Sequence, residues 1–421
     1  MTAAAAQRQP RMGLLRATLT LLAGAALAQA LPLALGPWLT RLYSPAEFGL
    51  YHLFAAVAAM LAVVACARYE FALPLAADEG EAAALRALAL WLLAGSTLTA
   101  ALVGAVWAAI IGASWPLWLP LAVAALGALS LATLAATRAD RFRSLAAARV
   151  LQHGGGALAQ GVAGMAQAGV AGLIAAPLLA VLGAVALLQL RLAGWWRVPR
   201  ERLAAVARKH RDFPLLNTPH ALAGALLDAL ALALVASSQG IAAAGFWGLA
   251  MRYLKAPATL VGGAVSQSLY PRLAAQGRAA GRRDVRRVML ALAALAAPLV
   301  LLLWAFAPWL FERAFGAAWR DAGELARALA LYIGLHFIAS PLAVVTMAWN
   351  AQAWALKLAL VGQGLFLAAL AAGLWWRGLQ AAGWAVSIAM ALYFGWYFWR
   401  LATWPTADGA DGADGADRAA A

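Results

Sequence analysis

Apolar stretches of about 20 residues, each long enough to cross a bilayer as a helix, recur along the whole of this chain. That recurrence restricts the fold more than any other feature. Hydrophobic residues make up 65% of the 421 positions, charged residues 12%, and mean hydropathy is +0.78. Soluble domains carry about 25% charged residues, so roughly half of the usual charge is missing. The sequence therefore predicts an all-α polytopic membrane protein. The only cysteine, Cys66, sits in an apolar segment, so an intrachain disulfide and a cysteine metal cluster are both excluded. The first apolar run follows a basic N-terminus, but it is too long for a signal peptide core and reads as a retained helix. Alanine dominates and only three basic residues are lysine, which suggests a GC-rich bacterial genome.

Twelve spans are predicted, over 13–39, 50–67, 84–111, 115–137, 145–167, 169–190, 214–238, 244–270, 287–311, 324–348, 356–376 and 379–400. Tryptophan pairs at 115 and 118, 195 and 196, and 375 and 376 mark span ends, where indole rings favour the headgroup layer. With the N-terminus inside, 25 of the 32 lysines and arginines fall on the cytoplasmic side and five on the other, the remaining two being Arg252 and Lys255 within a span. This split follows the positive-inside rule and puts both termini in the cytoplasm. The net charge of +15 is then largely topology and calls for no nucleic-acid partner. The expected organisation is a cytoplasmic N-terminus 1–12, a six-helix lobe 13–192, a basic cytoplasmic linker 193–213, a second six-helix lobe 214–401 and a low-complexity, disordered cytoplasmic tail 402–421.

The two lobes read as repeats. YSPAEFGLYHL (43–53) aligns with QGIAAAGFWGL (239–249) at an offset of 196, which also superposes the starts of spans 1 and 7. Six spans return the chain to its starting side, so the halves have parallel topology. Parallel-repeat transporters hold substrate between their halves and expose it alternately to each side.

Several of these segments resemble a known family. TRLYSPAEFGLYHLF (40–54) followed by RYEFALPLA (68–76) is similar to the first hairpin of bacterial polysaccharide-biosynthesis flippases. RDFPLLNTPHAL (211–222), AAAGFWGLAMRYLKAP (242–257) and AVSQSLYPRLA (264–274) resemble the start of that family's second half. The family belongs to the MOP superfamily, with MATE exporters and lipid II flippases. The resemblance implies a MATE-like, V-shaped bundle in the bacterial inner membrane. It also implies movement of undecaprenyl-pyrophosphate-linked oligosaccharide between leaflets by alternating access, for O-antigen, capsule or exopolysaccharide synthesis. A MATE-type small-molecule exporter and a lipid II-type flippase are the alternatives on the same architecture. Polysaccharide assembly proteins are the implied partners, H+ or Na+ the implied coupling ion, and no cofactor is called for. Many relatives carry additional C-terminal spans.

Intramembrane charge carries the site expectations. Asp228 on span 7 and Arg252 and Lys255 on span 8 lie deep in their helices, where each costs roughly 2.5–3.5 kcal/mol if turned to lipid. Asn217, His220, Gly224 and Asp228 form one helical stripe, and Arg252, Lys255, Thr259, Gly262 and Ser266 another, together reading as a wall of a wet cavity. The competing reading is a structural Asp228–Lys255 ion pair. A pyrophosphate needs cations, and the guanidinium fork of Arg252 suits its oxygens. Arg68 and Glu70 either line an inward-facing mouth or snorkel to the interface. Arg16, Arg149 and His153 lie near the inner surface, and His336 with Ser340 is either a pore contact or a core pair. Asp228 and Glu70 are the candidates for carrying a coupling ion.

Two enzyme readings fail on the residues. His153–Gly156 reproduces the HGGG string of esterases, but no G-x-S-x-G nucleophile elbow accompanies it. Those glycines, with Ala157 and Gly161, read instead as a close helix-packing surface. No Walker lysine loop is present for ATP hydrolysis.

Overall fold

The computed structural model describes residues 11–276 and 278–405, with side chains from Gly24 onward except at His220. The Arg16 side chain and the tail beyond residue 405 therefore lie outside the described residues. The helices are α1 (Arg11–Leu42), α2 (Pro45–Val64), α3 (Glu79–Ile111), α4 (Leu119–Arg138), α5 (Phe142–Val150), α6 (Gly156–Met165) and α7 (Gly169–Leu188). Then follow α8 (Arg200–Lys209), α9 (Thr218–Gln239), α10 (Ile241–Ala275), α11 (Arg278–Phe315), α12 (Arg320–Ala348), α13 (Gln352–Arg377) and α14 (Leu379–Ala402). No strand occurs among the described residues.

Nine helical segments among the described residues are long and apolar enough to cross a membrane. The remaining predicted spans coincide with α1, with α10 and with the run from α5 to α6. The chain is a multi-pass membrane protein. Its outward side chains fit that solvent: Leu98, Ile110, Leu290 and Leu392 are all exposed, and so are Trp375 and Trp376 at the end of α13. Large apolar residues exposed in such numbers need lipid, and terminal indoles belong at its boundary.

By compactness the chain divides into two units, Met1–Leu232 and Ala233–Ala421, with the division inside α9. In the first unit, α3, α4 and α7 pack around Leu85, Leu119, Val123, Leu131 and Ile174. The α5–α6 run packs on α1 through small residues. A Cβ at Gly161 would collide with the Trp38 ring, and one at Gly154 with the Leu31 side chain. The HGGG segment is thus a helix-packing surface. The single helix predicted over 145–167 is interrupted here by a wide π-turn, Leu151–Gly155. Consecutive glycines, weak helix formers without side chains to crowd the turn, permit that widening.

In the second unit α12 is central, packing on α10, α11 and α14. Its Leu325, Leu329, Ile333, Leu342 and Val345 are almost fully buried. Ser387 of α14 is the rare polar group in this core, and it is satisfied: its Oγ donates to Ala328 O at 2.6 Å and accepts from Tyr332 N at 3.4 Å.

The aligned segments of the two halves both open a helix at the same register. Ser44 is the N-cap of α2, and at the offset of 196 Gly240 is the N-cap of α10. Gly240 has φ +87°, a conformation favouring glycine, and makes the turn between α9 and α10.

Candidate functional site

The first ionic cluster of interest follows α2. The helix ends near Cys66, and the chain then passes through Ala67 (φ +46°) and Arg68 (φ +62°), both left-handed, into a tight 3-10 segment, Tyr69–Leu75. This reversal turns Glu70 into the protein, where it is only 3% exposed. Its Oε1 accepts from Ser130 Oγ of α4 at 3.2 Å, while Oε2 is buried with no hydrogen-bond partner among the described residues. Arg68 is half-buried, its guanidinium 4.8 Å from the centre of the Phe71 ring, and its Nε also lacks a partner. Burial holds the Glu70 carboxyl above the usual carboxylate range. Its own backbone N–H, the Ser130 hydroxyl and the Arg68 charge pull the other way. Glu70 does not snorkel to the surface. Sequence reasoning missed Ser130, since nothing local in α4 connects it to a residue sixty positions earlier.

The second cluster lies on α10. Arg252 and Lys255 are half-buried and one turn apart on a continuous helix. Arg252 has no hydrogen-bond or ion-pair partner among the described residues. Lys255 has interactions of its own and lies within electrostatic range of His336 on α12. The His336 ring is set between the aromatic rings of Tyr332 and Phe394, at 5.9 and 6.4 Å between centroids. The rest of the predicted polar stripe behaves differently. A Cβ at Gly262 would stand 3.1 Å from Ser340 Oγ, and Ser266 Oγ donates to Pro341 O at 3.2 Å. Those two residues seat α10 on α12, so the stripe is part helix contact and part charged surface.

The other candidates scatter. Asn217 is exposed and ends a π-turn, Phe213–Asn217, so the α-helical spacing joining it to Asp228 starts one turn late. Asp228 is exposed on α9 and has a partner of its own. It belongs to the first unit, whereas Arg252 and Lys255 belong to the second. Arg149 is exposed at the end of α5, and the π-turn Leu151–Gly155 interrupts the α-helical register between it and His153. Among the described residues no His, Cys, Asp and Glu group has a metal-binding arrangement.

The family-signature residues of the first hairpin have a structural explanation. Ser44 and Glu47 form a capping box, with Glu47 Oε2 accepting from Ser44 N at 2.8 Å and Ser44 Oγ accepting from Glu47 N at 3.3 Å. Tyr43 Oη donates to Gln160 O at 2.8 Å, tying the end of α1 to α6. The Ser-x-x-Glu spacing is a local signal for this cap.

Comparison with known proteins agrees with this architecture. A family model described as "Polysaccharide biosynthesis protein" matches residues 38–324. Among solved structures, an inward-facing multidrug resistance MATE family transporter of the MOP superfamily is similar at a TM-score of 0.65 with 15% identity. That match covers 90% of this chain and 98% of the other. The lipid II flippase MurJ, in an inward closed conformation, matches at 0.65 with 9% identity, covering 92% and 90%. A MOP superfamily transporter from Pyrococcus furiosus, reported with a reverse-polarity binding pocket, matches at 0.54 with 15% identity, covering 92% and 95%. At these identities the likeness establishes the fold. No match was found among curated protein sequences.

Proposed function

The chain belongs to the polysaccharide biosynthesis protein family, and on that premise we propose that it flips undecaprenyl-pyrophosphate-linked oligosaccharide across the bacterial inner membrane. The observation that carries the reading is Arg252. A guanidinium inside a membrane helix, half-buried and with no hydrogen-bond or ion-pair partner among the described residues, is costly unless a ligand or a wet cavity meets it. In a transporter of this family that ligand is the pyrophosphate, held by Arg252 and Lys255 while the lipid tail stays in the bilayer. A fold shared with a lipid II flippase is compatible with a lipid-linked cargo.

In this reading the lobes 13–192 and 214–401 open alternately, and both termini are cytoplasmic. Arg68 sits near the inner mouth with Arg16, Arg149 and Asn217 as further contacts to the headgroup. Glu70 or Asp228 carries the coupling proton or Na+. Glu70 is the better placed for a proton, because its Oε2 is buried and unpartnered. Polysaccharide assembly proteins would receive the product.

The test uses purified protein in liposomes holding a lipid-linked oligosaccharide, with an impermeant glycan-modifying enzyme reporting arrival in the opposite leaflet. Wild type should transfer the glycolipid. Arg252→Ala should lose at least about tenfold in rate at equal abundance, the scale expected for one charge-assisted contact. Normal transport by that variant removes Arg252 from the site. No transfer by wild type across several glycans and both ion gradients moves the assignment to a small-molecule exporter.

A further inference from the structure

The first unit holds a second concentration of cations that the transport reading does not use. Where the ends of α3, α4 and α7 converge, a cavity of about 500 Å³ is lined by Arg86, Arg138, Arg141 and Arg191, with Glu79 as the acidic member. Four guanidiniums against one carboxylate leave a strong excess of positive charge within a single pocket. They come from three separate stretches of the sequence, 79–86, 138–141 and 191, which folding brings together.

The four do not share one role. Arg138 is held by the fold: Nη1 donates to Leu73 O at 3.2 Å and Ala76 O at 2.6 Å, and Nε pairs with Glu79 Oε1 at 3.2 Å. Arg141 Nη1 donates to Leu188 O at 3.0 Å, closing the C-terminus of α7. Arg86, half-buried on α3, and Arg191, in the segment after α7, have no hydrogen-bond or ion-pair partner among the described residues. Gln189, in a left-handed conformation at φ +50°, ends α7 and redirects the chain so that Arg191 joins the cavity lining. Two cations built into the scaffold thus back two whose donors are unspent.

Chemistry and position identify the ligand class. Guanidinium forks match the paired oxygens of a phosphate, and like charges gathered in one pocket repel until an anion enters. The pocket lies at the terminus of three membrane helices, the level of lipid headgroups, on the arginine-rich side. Its volume is within the roughly 300–1,000 Å³ of small-ligand sites. Basic pockets between membrane helices suit anionic headgroups. We propose that this cavity binds the phosphate of an anionic phospholipid headgroup, the chemistry that it would also offer to free phosphate. This site stands whether or not the carried molecule is an oligosaccharide lipid.

The experiment titrates the full-length protein in neutral detergent with three probes: short-chain phosphatidylglycerol, inorganic phosphate and short-chain phosphatidylcholine. Binding is read by native mass spectrometry and by the thermal midpoint. The test variant is Arg86→Ala with Arg191→Ala, which leaves the carbonyl-bound Arg138 and Arg141 in place. The control is Arg283→Ala with Arg287→Ala, which removes equal charge outside the cavity. Saturable phosphatidylglycerol binding, about tenfold weaker in the test variant and unchanged in the control, supports the site. Inorganic phosphate binding as tightly as the lipid keeps the phosphate chemistry but overturns the lipid source. Equal affinity for phosphatidylglycerol and phosphatidylcholine, or equal loss in both variants, overturns the proposal. A test variant that does not elute as a monodisperse species is replaced by Arg86→Gln with Arg191→Gln and read in the same way.

Discussion

Arg138 in the first unit and Arg252 in the second are both arginines near apolar helices, but the fold treats them in opposite ways. Arg138 spends its donors on two backbone carbonyls and a carboxylate, holding the 3-10 segment after α2 against the end of α4. Arg252 lies within α10 and spends none on any partner among the described residues. A charge whose hydrogen bonds are taken up by the backbone is scaffold. One that the fold buries partway and leaves unanswered costs stability, and that cost is tolerated where a ligand repays it. Hydrogen-bond accounting separates the two more cleanly than charge or position does.

The widest separation should come from methionine at each position, which keeps much of the stem volume and deletes the charge. Arg138→Met leaves the Ala76 carbonyl without its donor, takes one of two donors from Leu73 O, which keeps the Ala76 N–H, and should lower stability by roughly 2 kcal/mol. Arg252→Met removes a half-buried charge that has no partner among the described residues, so its thermal midpoint in detergent should be at or above that of wild type while glycolipid transfer is lost. Differential scanning fluorimetry beside the liposome assay reads both. A destabilised Arg252→Met with normal transfer would invert the comparison and make Arg252 the scaffold.

What the sequence made legible follows from the range of each signal. Apolar length is local, so the predicted spans coincide with the long helical runs, including α10, which carries Arg252, Lys255 and Arg272. Glycine packing was legible for the same reason, and Gly154 and Gly161 do lie against α1. Register across a π-turn was not, because one extra residue per turn rotates everything beyond Leu151 and Phe213 relative to an ideal helix. That rotation separates Arg149 from His153 and offsets Asn217. Partners distant in sequence were equally hidden. Nothing near Ser130 reveals that it will meet Glu70, and nothing near Ser266 reveals the Pro341 carbonyl. The stripe on α10 therefore read as one surface, although Gly262 and Ser266 are committed to α12.

Glu70 tests whether an intermediate case exists, a charge partly answered by the fold. Because burial raises its carboxyl above the ordinary range, the native state binds its proton more tightly than the unfolded chain does. Its contribution to stability is full below the unfolded value and is lost as pH rises through the folded one. Glu70→Gln keeps the shape and the Ser130 contact without a charge to bury. The variant should match wild type in acid and exceed it once pH has passed the raised folded value, by about 1 kcal/mol, the scale of one unsatisfied buried group. Parallel stability profiles across that range would show that the carboxylate is already compensated. If Glu70 also carries the coupling proton, the same variant loses proton-driven transfer while keeping its fold.

The smallest effect on global stability is expected where a charge is fully answered by its neighbours. Glu81 Oε1 accepts from Lys209 Nζ at 2.6 Å and from His210 Nε2 at 2.7 Å, and Oε2 accepts from Ala77 N at 2.9 Å. Together with the Tyr69 Oη bond to Ala207 O at 3.2 Å, these contacts dock α8 of the basic linker onto the first unit. Lys209 is exposed, and an ion pair with an exposed partner contributes about 0.5 kcal/mol, so Glu81→Gln should shift the thermal midpoint little. Local opening is the more sensitive reading, since a short helix held by few contacts unfolds without the rest. Trypsin applied to the protein in detergent should cut at Arg208 or Lys209 several-fold faster in Glu81→Gln, and faster again with Tyr69→Phe added. Unchanged cleavage in the double variant would mean that Val206, the buried apolar contact of α8, holds the linker without its charges.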